Sequence, residues 1–402
     1  MSTPPDQDRI LDNRQSIADA LALAVVVVLP WSISGALLFI LLWLFAVVAT
    51  LGLAKIRREV ITIAGGTPIL LLCLGVIGMS WASVGWAERL GGADSFLKLL
   101  AIPLLFAQFR QSDRASWLLI GFLSSCTVLL AVFWAAAIRD AIAFHDAARP
   151  ALIKNATTEM SEFTICGFVS LVMAIKALHG KRQSLAASMV VLAAGFLAIV
   201  FYVVLVPGRW FIFPFETLLP IAALVLLLAH KQYGAKVMLG VLAIGAIACS
   251  LVYVASPNIR SHINAIDLLG ISRPVYWSKS VQFIAEAPIL GHGTGSIHSL
   301  FALAAKGQSG PMAEIATNPF QETLSIGIQL GIVGVAALWA MWISHLLLFR
   351  GQSLPDWIGL IIIVYAIFGS LLDSELFDSH RGWTYVFGVG VAGGVILRKQ
   401  IG

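Results

Sequence analysis

The chain has 402 residues, of which 59% are hydrophobic and only 12% charged, with a mean hydropathy of +0.91. Soluble domains carry about 25% charged residues, so this composition excludes a soluble globular chain and indicates an integral membrane protein. The net charge of +5 is modest, and no phosphate-binding loop, helix-turn-helix or RNA-binding face accompanies it, so no nucleic-acid partner is expected.

The N-terminal stretch MSTPPDQDRILDNRQ is polar and acidic-leaning, unlike a cleaved signal peptide. Apolar runs long enough to cross about 30 Å of hydrocarbon then fall near 16–33, 35–54, 67–86, 95–109, 116–138, 160–178, 184–206, 211–229, 235–255, 320–348, 355–372 and 382–397. The expectation is an all-α polytopic membrane protein of about twelve transmembrane helices, with residues 1–402 forming a single integral membrane domain. An even count puts both termini on one side. With the N-terminus cytoplasmic, the inside segments hold fifteen Lys and Arg and the outside segments ten, seven of those ten in two longer loops. The positive-inside rule therefore predicts both termini in the cytoplasm. Cys73, Cys126, Cys166 and Cys249 each sit in a different apolar stretch without metal or redox spacing, and read as small core residues.

Two loops exceed the short connections. One spans roughly 139–159. The other, 256–318, is a long polar interruption expected to lie on the outer, periplasmic face. Within it, Trp277, Val281 and Ile284 recur at helical spacing before Pro288, which predicts a short amphipathic helix at the membrane surface. GHGTGS and KGQSGP break up the remainder of the loop, GHGTGS being read as a tight turn.

Four polar elements share that outer face: Arg209 in LVPGRWF, Arg273 in ISRPVYW, the re-entry TNPFQE, and DSELFDSHRGW between the last two spans. Arg209, at membrane depth, reads either as a functional charge or as an arginine snorkelling to headgroups. Arg273 alone reads as a solvated loop charge. Two arginines on one face suit phosphate oxygens, which guanidinium forks bind bidentately, and a lipid-linked pyrophosphate is the substrate such a pair would take. His292 and His298 flank a glycine turn without a second ligand at metal spacing, and no D-x-D pair is present, so no metal site is expected. DSELFDSHR could be a base cluster, but reads first as a solvated turn.

Together these residues resemble the O-antigen ligase family, which is related to O-antigen polymerases and bacterial O-oligosaccharyltransferases. Arg209 stands in a short outside connection, and Arg273 precedes Tyr276 and Trp277. APILGHGTGS matches the hydrophobic-Pro-hydrophobic-Leu-Gly-x-Gly-x-Gly turn. Leu324 and Gly331 keep the spacing of the final His-Asn-x-x-Leu signature. In that register Phe320 occupies the position of the family's general-base His, and Gln321 that of Asn.

The resemblance implies a GT-C-like glycosyltransferase in the bacterial inner membrane, needing no cofactor. Its donor would be O-antigen polysaccharide on undecaprenyl pyrophosphate, and its acceptor a sugar of lipid A–core. Arg209 and Arg273 would bind the pyrophosphate, with Tyr276, Trp277, Asn318 and Gln321 lining the site and membrane lipids surrounding it. The catalytic position is Phe320, with His298, Glu322 and Asp378 as alternative bases. No carboxylate pair has nucleophile spacing, so inversion is expected. The nearest alternatives are an O-antigen polymerase or a protein O-oligosaccharyltransferase using the same donor. A lipid or polysaccharide transporter is the alternative from another class, but would predict repeat symmetry that the sequence lacks. A structural scaffold is a third, favoured only by Phe320.

Overall fold

The computed structural model describes residues 5–142, 156–205, 213–244, 272–309, 316 and 318–399. It is helical throughout, with no strand among these residues. In chain order the helices are α1 (Pro5–Val28), α2 (Ile33–Thr50), α3 (Leu53–Ile61), α4 (Ile63–Gly78) and α5 (Trp86–Leu97), which runs through a 3₁₀ turn (Lys98–Leu100) into α6 (Ala101–Phe109). There follow α7 (Ala115–Ile142), α8 (Ala156–His179), α9 (Gln183–Leu205), α10 (Phe213–Tyr233) and α11 (Ala235–Ile244). The last five are α12 (Ser272–Glu286), α13 (Ile297–Ala305), α14 (Glu322–Leu348), α15 (Leu354–Gly369) and α16 (Ser379–Lys399). Among the described residues six helices are long and apolar enough to cross a membrane, and the bent pair α3–α4 makes a seventh. Residues 143–155, 245–271 and most of 310–317 lie outside the described residues, and with them parts of both long loops.

The bend between α3 and α4 is 92°, is closed on both sides by Thr62 and is fitted by Gly65 and Gly66, where a Cβ would stand 2.2 and 2.7 Å from the Glu59 and Val60 carbonyl oxygens. The Thr62 hydroxyl donates to the Glu59 carbonyl at 2.6 Å, closing α3, and accepts the Gly65 N–H at 3.1 Å, opening α4. The expected span at 67–86 thus begins earlier, behind a short amphipathic helix. Lys55, Arg57 and Arg58 of α3 face outwards, while buried Glu59 pairs with Arg110 at 3.0 Å.

The centre of the molecule is tightened by small residues. Gly393 and Gly394 of α16 lie against Phe106 and Phe109 of α6; a Cβ on Gly393 would stand 2.3 Å from the Phe106 ring. Backbones approach this closely in lipid only where side chains are absent, because dispersion contacts rather than water expulsion hold such helices together. Polar side chains add fixed cross-links. Trp43 Nε1 donates to Gln108, and Gln108 donates to Asp19, both at 2.8 Å. His345 of α14 bridges the Tyr385 hydroxyl and the Ala64 carbonyl at 2.7 and 2.9 Å. Cys126 and Cys166 are core residues as read from the sequence, whereas Cys73 faces outwards; Cys249 lies outside the described residues.

Helix α14 is broken at Gly331, where φ is 61° and ψ is −158°, a conformation essentially restricted to glycine. The chain between α12 and α13 supplies the missing partners. His292 and Gly293 N–H donate to the Ile328 and Gln329 carbonyls at 2.8 and 2.9 Å, and Ile332 N–H donates back to Pro288 at 2.8 Å. Gly291, Gly293 and Gly295 all have positive φ, so GHGTGS is a tight turn with a structural task. It is also locked onto α4, where Thr294 donates from N–H and hydroxyl to Gly78 and Gly75 at 3.1 and 2.6 Å.

Candidate functional site

The helix expected around Trp277 is α12; Trp277 and Ile284 are half-buried, Ile284 packing on the small core, but the fully buried face is shifted from the one the spacing indicated. Val281 is 59% exposed, while Tyr276, Lys279, Ser280 and Phe283 are buried. The reason is aromatic packing. Tyr276 and Phe283 both meet the Phe301 ring of α13 edge-on, at 5.6 and 5.2 Å between centroids, the geometry that ring quadrupoles favour. This small core, separate from that of the helix bundle, also takes in Ile328 of α14 and the Phe320 ring.

Phe320 sits directly before α14. Its φ of 55° is an outlier for a bulky side chain, while Asn, Asp and His adopt this left-handed region several-fold more often than other residues. The Tyr276 ring stacks on it at 6.3 Å between centroids, and the Arg273 guanidinium lies over it at 4.7 Å. Arg273 also donates to the Leu372 carbonyl, and Trp277 Nε1 to the Pro319 carbonyl at 3.0 Å. Asn318 is a junction: its Oδ1 accepts the Phe320 N–H at 2.9 Å, the Ser374 hydroxyl at 2.9 Å and the Ser325 hydroxyl at 3.3 Å. Gln321 is the N-cap of α14, its Oε1 accepting the Leu324 N–H at 2.5 Å.

The 373–381 segment is not the solvated turn its composition suggests. Arg381 is buried and pairs with Asp373 at 2.6 Å and Glu375 at 2.7 Å, with Asp378 at 3.6 Å. Three carboxylates around one guanidinium leave excess negative charge, and burial together with Asp373 and Asp378 pushes the Glu375 carboxyl up to about 8 against the opposing pull of Arg381. Lys98 holds the segment from below, donating to the Leu376 and Asp378 carbonyls at 2.8 and 2.9 Å. Glu322 holds it from the side, accepting the Leu376 N–H at 2.9 Å.

Arg273, Tyr276, Trp277, Asn318, Phe320 and Gln321 are therefore brought together, and Glu322 joins them from underneath. Glu322 is fully buried and its Oε2 is committed to the backbone, which gives it a positioning geometry. Asp378 is partly exposed and accepts the Arg381 backbone N–H at 2.9 Å. His298 is exposed on α13, turned away from the face that carries Ile297 and Phe301. Arg209 lies outside the described residues. Sequence reading missed Lys98 and the burial of Arg381. The available signal was Lys98 itself, a lone charge inside an apolar run. Among the described residues no group of three His, Cys, Asp or Glu side chains could hold a metal ion. Comparison with known proteins gives no matching family model and no matching curated protein.

Proposed function

We propose that the chain is a membrane glycosyltransferase of the O-antigen ligase type, acting at the outer face of a bacterial inner membrane through about twelve crossings with both termini inside. The observation that carries this reading is the setting of position 320. Its left-handed backbone suits a histidine, it follows the Asn318 junction, it precedes a cap at 321, and a fixed arginine lies 4.7 Å above it. A cation beside a position whose backbone suits histidine fits a phosphate leaving group next to a proton acceptor.

In this reading the acceptor sugar hydroxyl attacks the anomeric carbon of the donor. The bond from that carbon to phosphate breaks, and undecaprenyl pyrophosphate departs. Arg273, held over Phe320, receives charge on the leaving oxygen as a pre-positioned donor that costs no reorganisation during reaction, with Arg209 as the second cation. The acceptor proton passes to a base, which Phe320 cannot be. In this chain water takes that proton, so a histidine placed at 320 would supply the missing general base.

A ligation assay with purified lipid-linked glycan and lipid A–core tests the proposal. Arg273→Ala should lose transfer while keeping the fold. Phe320→His should raise the rate by roughly 10²–10⁴-fold, the usual contribution of a placed general base. Equal rates for Phe320→His and the parent would remove position 320 from the mechanism. Full activity of Arg273→Ala would sink the ligase reading itself.

A further inference from the structure

A second feature lies away from this site. A cavity of about 420 Å³ runs between α1, α7, α8, α15 and α16. Its walls are apolar, including Leu29, Phe122, Val169, Ile358, Val391 and Val395. From Thr384 to Arg398 it follows α16 for about 21 Å at the helical rise, more than the roughly 15 Å depth of one leaflet.

Its two ends differ. At the Thr384 end it meets a polar recess among Glu162, Glu375, Arg381 and Tyr385 whose volume is about 10 Å³, room for one water at most. Among the described residues this recess is too small to hold an acyl chain. At the other end Arg398 is 34% exposed, donating to the Ser112 carbonyl at 2.9 Å and to Asp113, which is 92% exposed. Exposed Arg114 adjoins them. Lys176 and Lys231 donate to the Gln352 and Gly351 carbonyls at 2.6 and 2.7 Å, in the turn just before Leu354 and Pro355, which line the same mouth. Arg398 thus lines the mouth itself, and Arg114, Lys176 and Lys231 stand on or bond to the segments that flank it, against the exposed carboxylate of Asp113 and the capping carboxylate of Asp356.

We propose that this slot binds one acyl chain of an anionic phospholipid, with its phosphate at the Arg398 rim in place of the exposed Asp113. The hydrocarbon gains little over the bilayer it leaves, since lipid tails are as apolar as the slot. Selectivity therefore resides in the headgroup, where basic residues near the surface favour negative charge.

The test uses the full chain, delipidated in detergent and titrated with dioleoyl phosphatidylglycerol or dioleoyl phosphatidylcholine under native mass spectrometry. The expected result is one tightly retained phosphatidylglycerol per chain, at least about tenfold tighter than phosphatidylcholine. Ala392→Phe, which fills the slot, should abolish retention of both lipids. Arg398→Gln should bring their affinities together while retention persists. Should Ala392→Phe fail to fold, Leu119→Trp on the partly exposed wall carries the same test. Equal retention of the two lipids by the parent, or unchanged retention in the filled variants, would mean annular lipid only and overturn the proposal. Displacement of phosphatidylglycerol one-for-one by undecaprenyl phosphate would overturn the choice of occupant.

Discussion

Arg381 shows most clearly why residues in this chain resist a reading by composition. DSELFDSHR contains four charged residues and a histidine, and such a string is usually solvated. Here the guanidinium is buried among Asp373, Glu375 and Asp378. Removing one partner of a buried charge pair typically costs about 3–5 kcal/mol, because the remaining charge is left uncompensated. Arg381→Gln should therefore lower the thermal unfolding midpoint markedly, and Arg381→Lys by less. Glu375 adds a pH dependence. Its folded pKa of about 8 lies above the ordinary carboxylate value near 4.3, so the folded state holds a proton that the unfolded state has released. The associated stability is fully present below about pH 4.3 and is lost as pH rises to about 8. Unfolding midpoints should fall across that window, and Glu375→Gln should flatten the profile. A midpoint that climbs steadily from about pH 5 to 8 in the parent would contradict this protonation. The sequence displayed the site's side chains but not their surroundings: Arg273, Tyr276 and Trp277 are legible together in ISRPVYW, and Phe320 in the separate segment TNPFQE, the two being joined only by the family resemblance. Lys98 and Arg381 were not, because burial is decided by residues hundreds of positions away.

At the level of elements, hydrophobic periodicity located most helices and misjudged some faces and joints. α12 was expected and is present, yet Phe301, beyond the glycine turn, decides which side it buries. The Thr62 joint between α3 and α4 escapes any window average, since it rests on one hydroxyl and two adjacent glycines. The break in α14 has the sharpest consequence. A Cβ at Gly331 would lie 2.3 Å from the Ile289 carbonyl oxygen, and the backbone there is closed to other residues. Gly331→Ala should cost about 1–3 kcal/mol from backbone strain alone and free the 288–295 turn. Limited proteolysis should then cut between α12 and α13 faster than in the parent. Unchanged protection would show that the turn does not depend on the break.

For the whole molecule, the charge pattern makes a claim about sides. Arg57 and Arg58 of α3 and Arg398 of α16 belong to the basic end, and His298 of α13 to the end that carries the candidate site. In a background without native cysteines, a membrane-impermeant maleimide applied from the periplasm should label His298→Cys and leave Arg57→Cys unlabelled. Both positions are exposed, so reactivity reports sidedness rather than burial. Labelling of both from one face would refute the topology and, with it, the placement of the site.

The meeting of the glycine turn and the broken helix also bears on how the chain is made. A span with unpaired backbone groups at membrane depth is costly on its own, and α14 carries such a gap at Gly331. The residues that fill it, 288 to 293, are encoded before α14 and leave the ribosome first. The chain thus presents the patch ahead of the helix that needs it, so that insertion and closure of the gap can proceed as one event in order of synthesis.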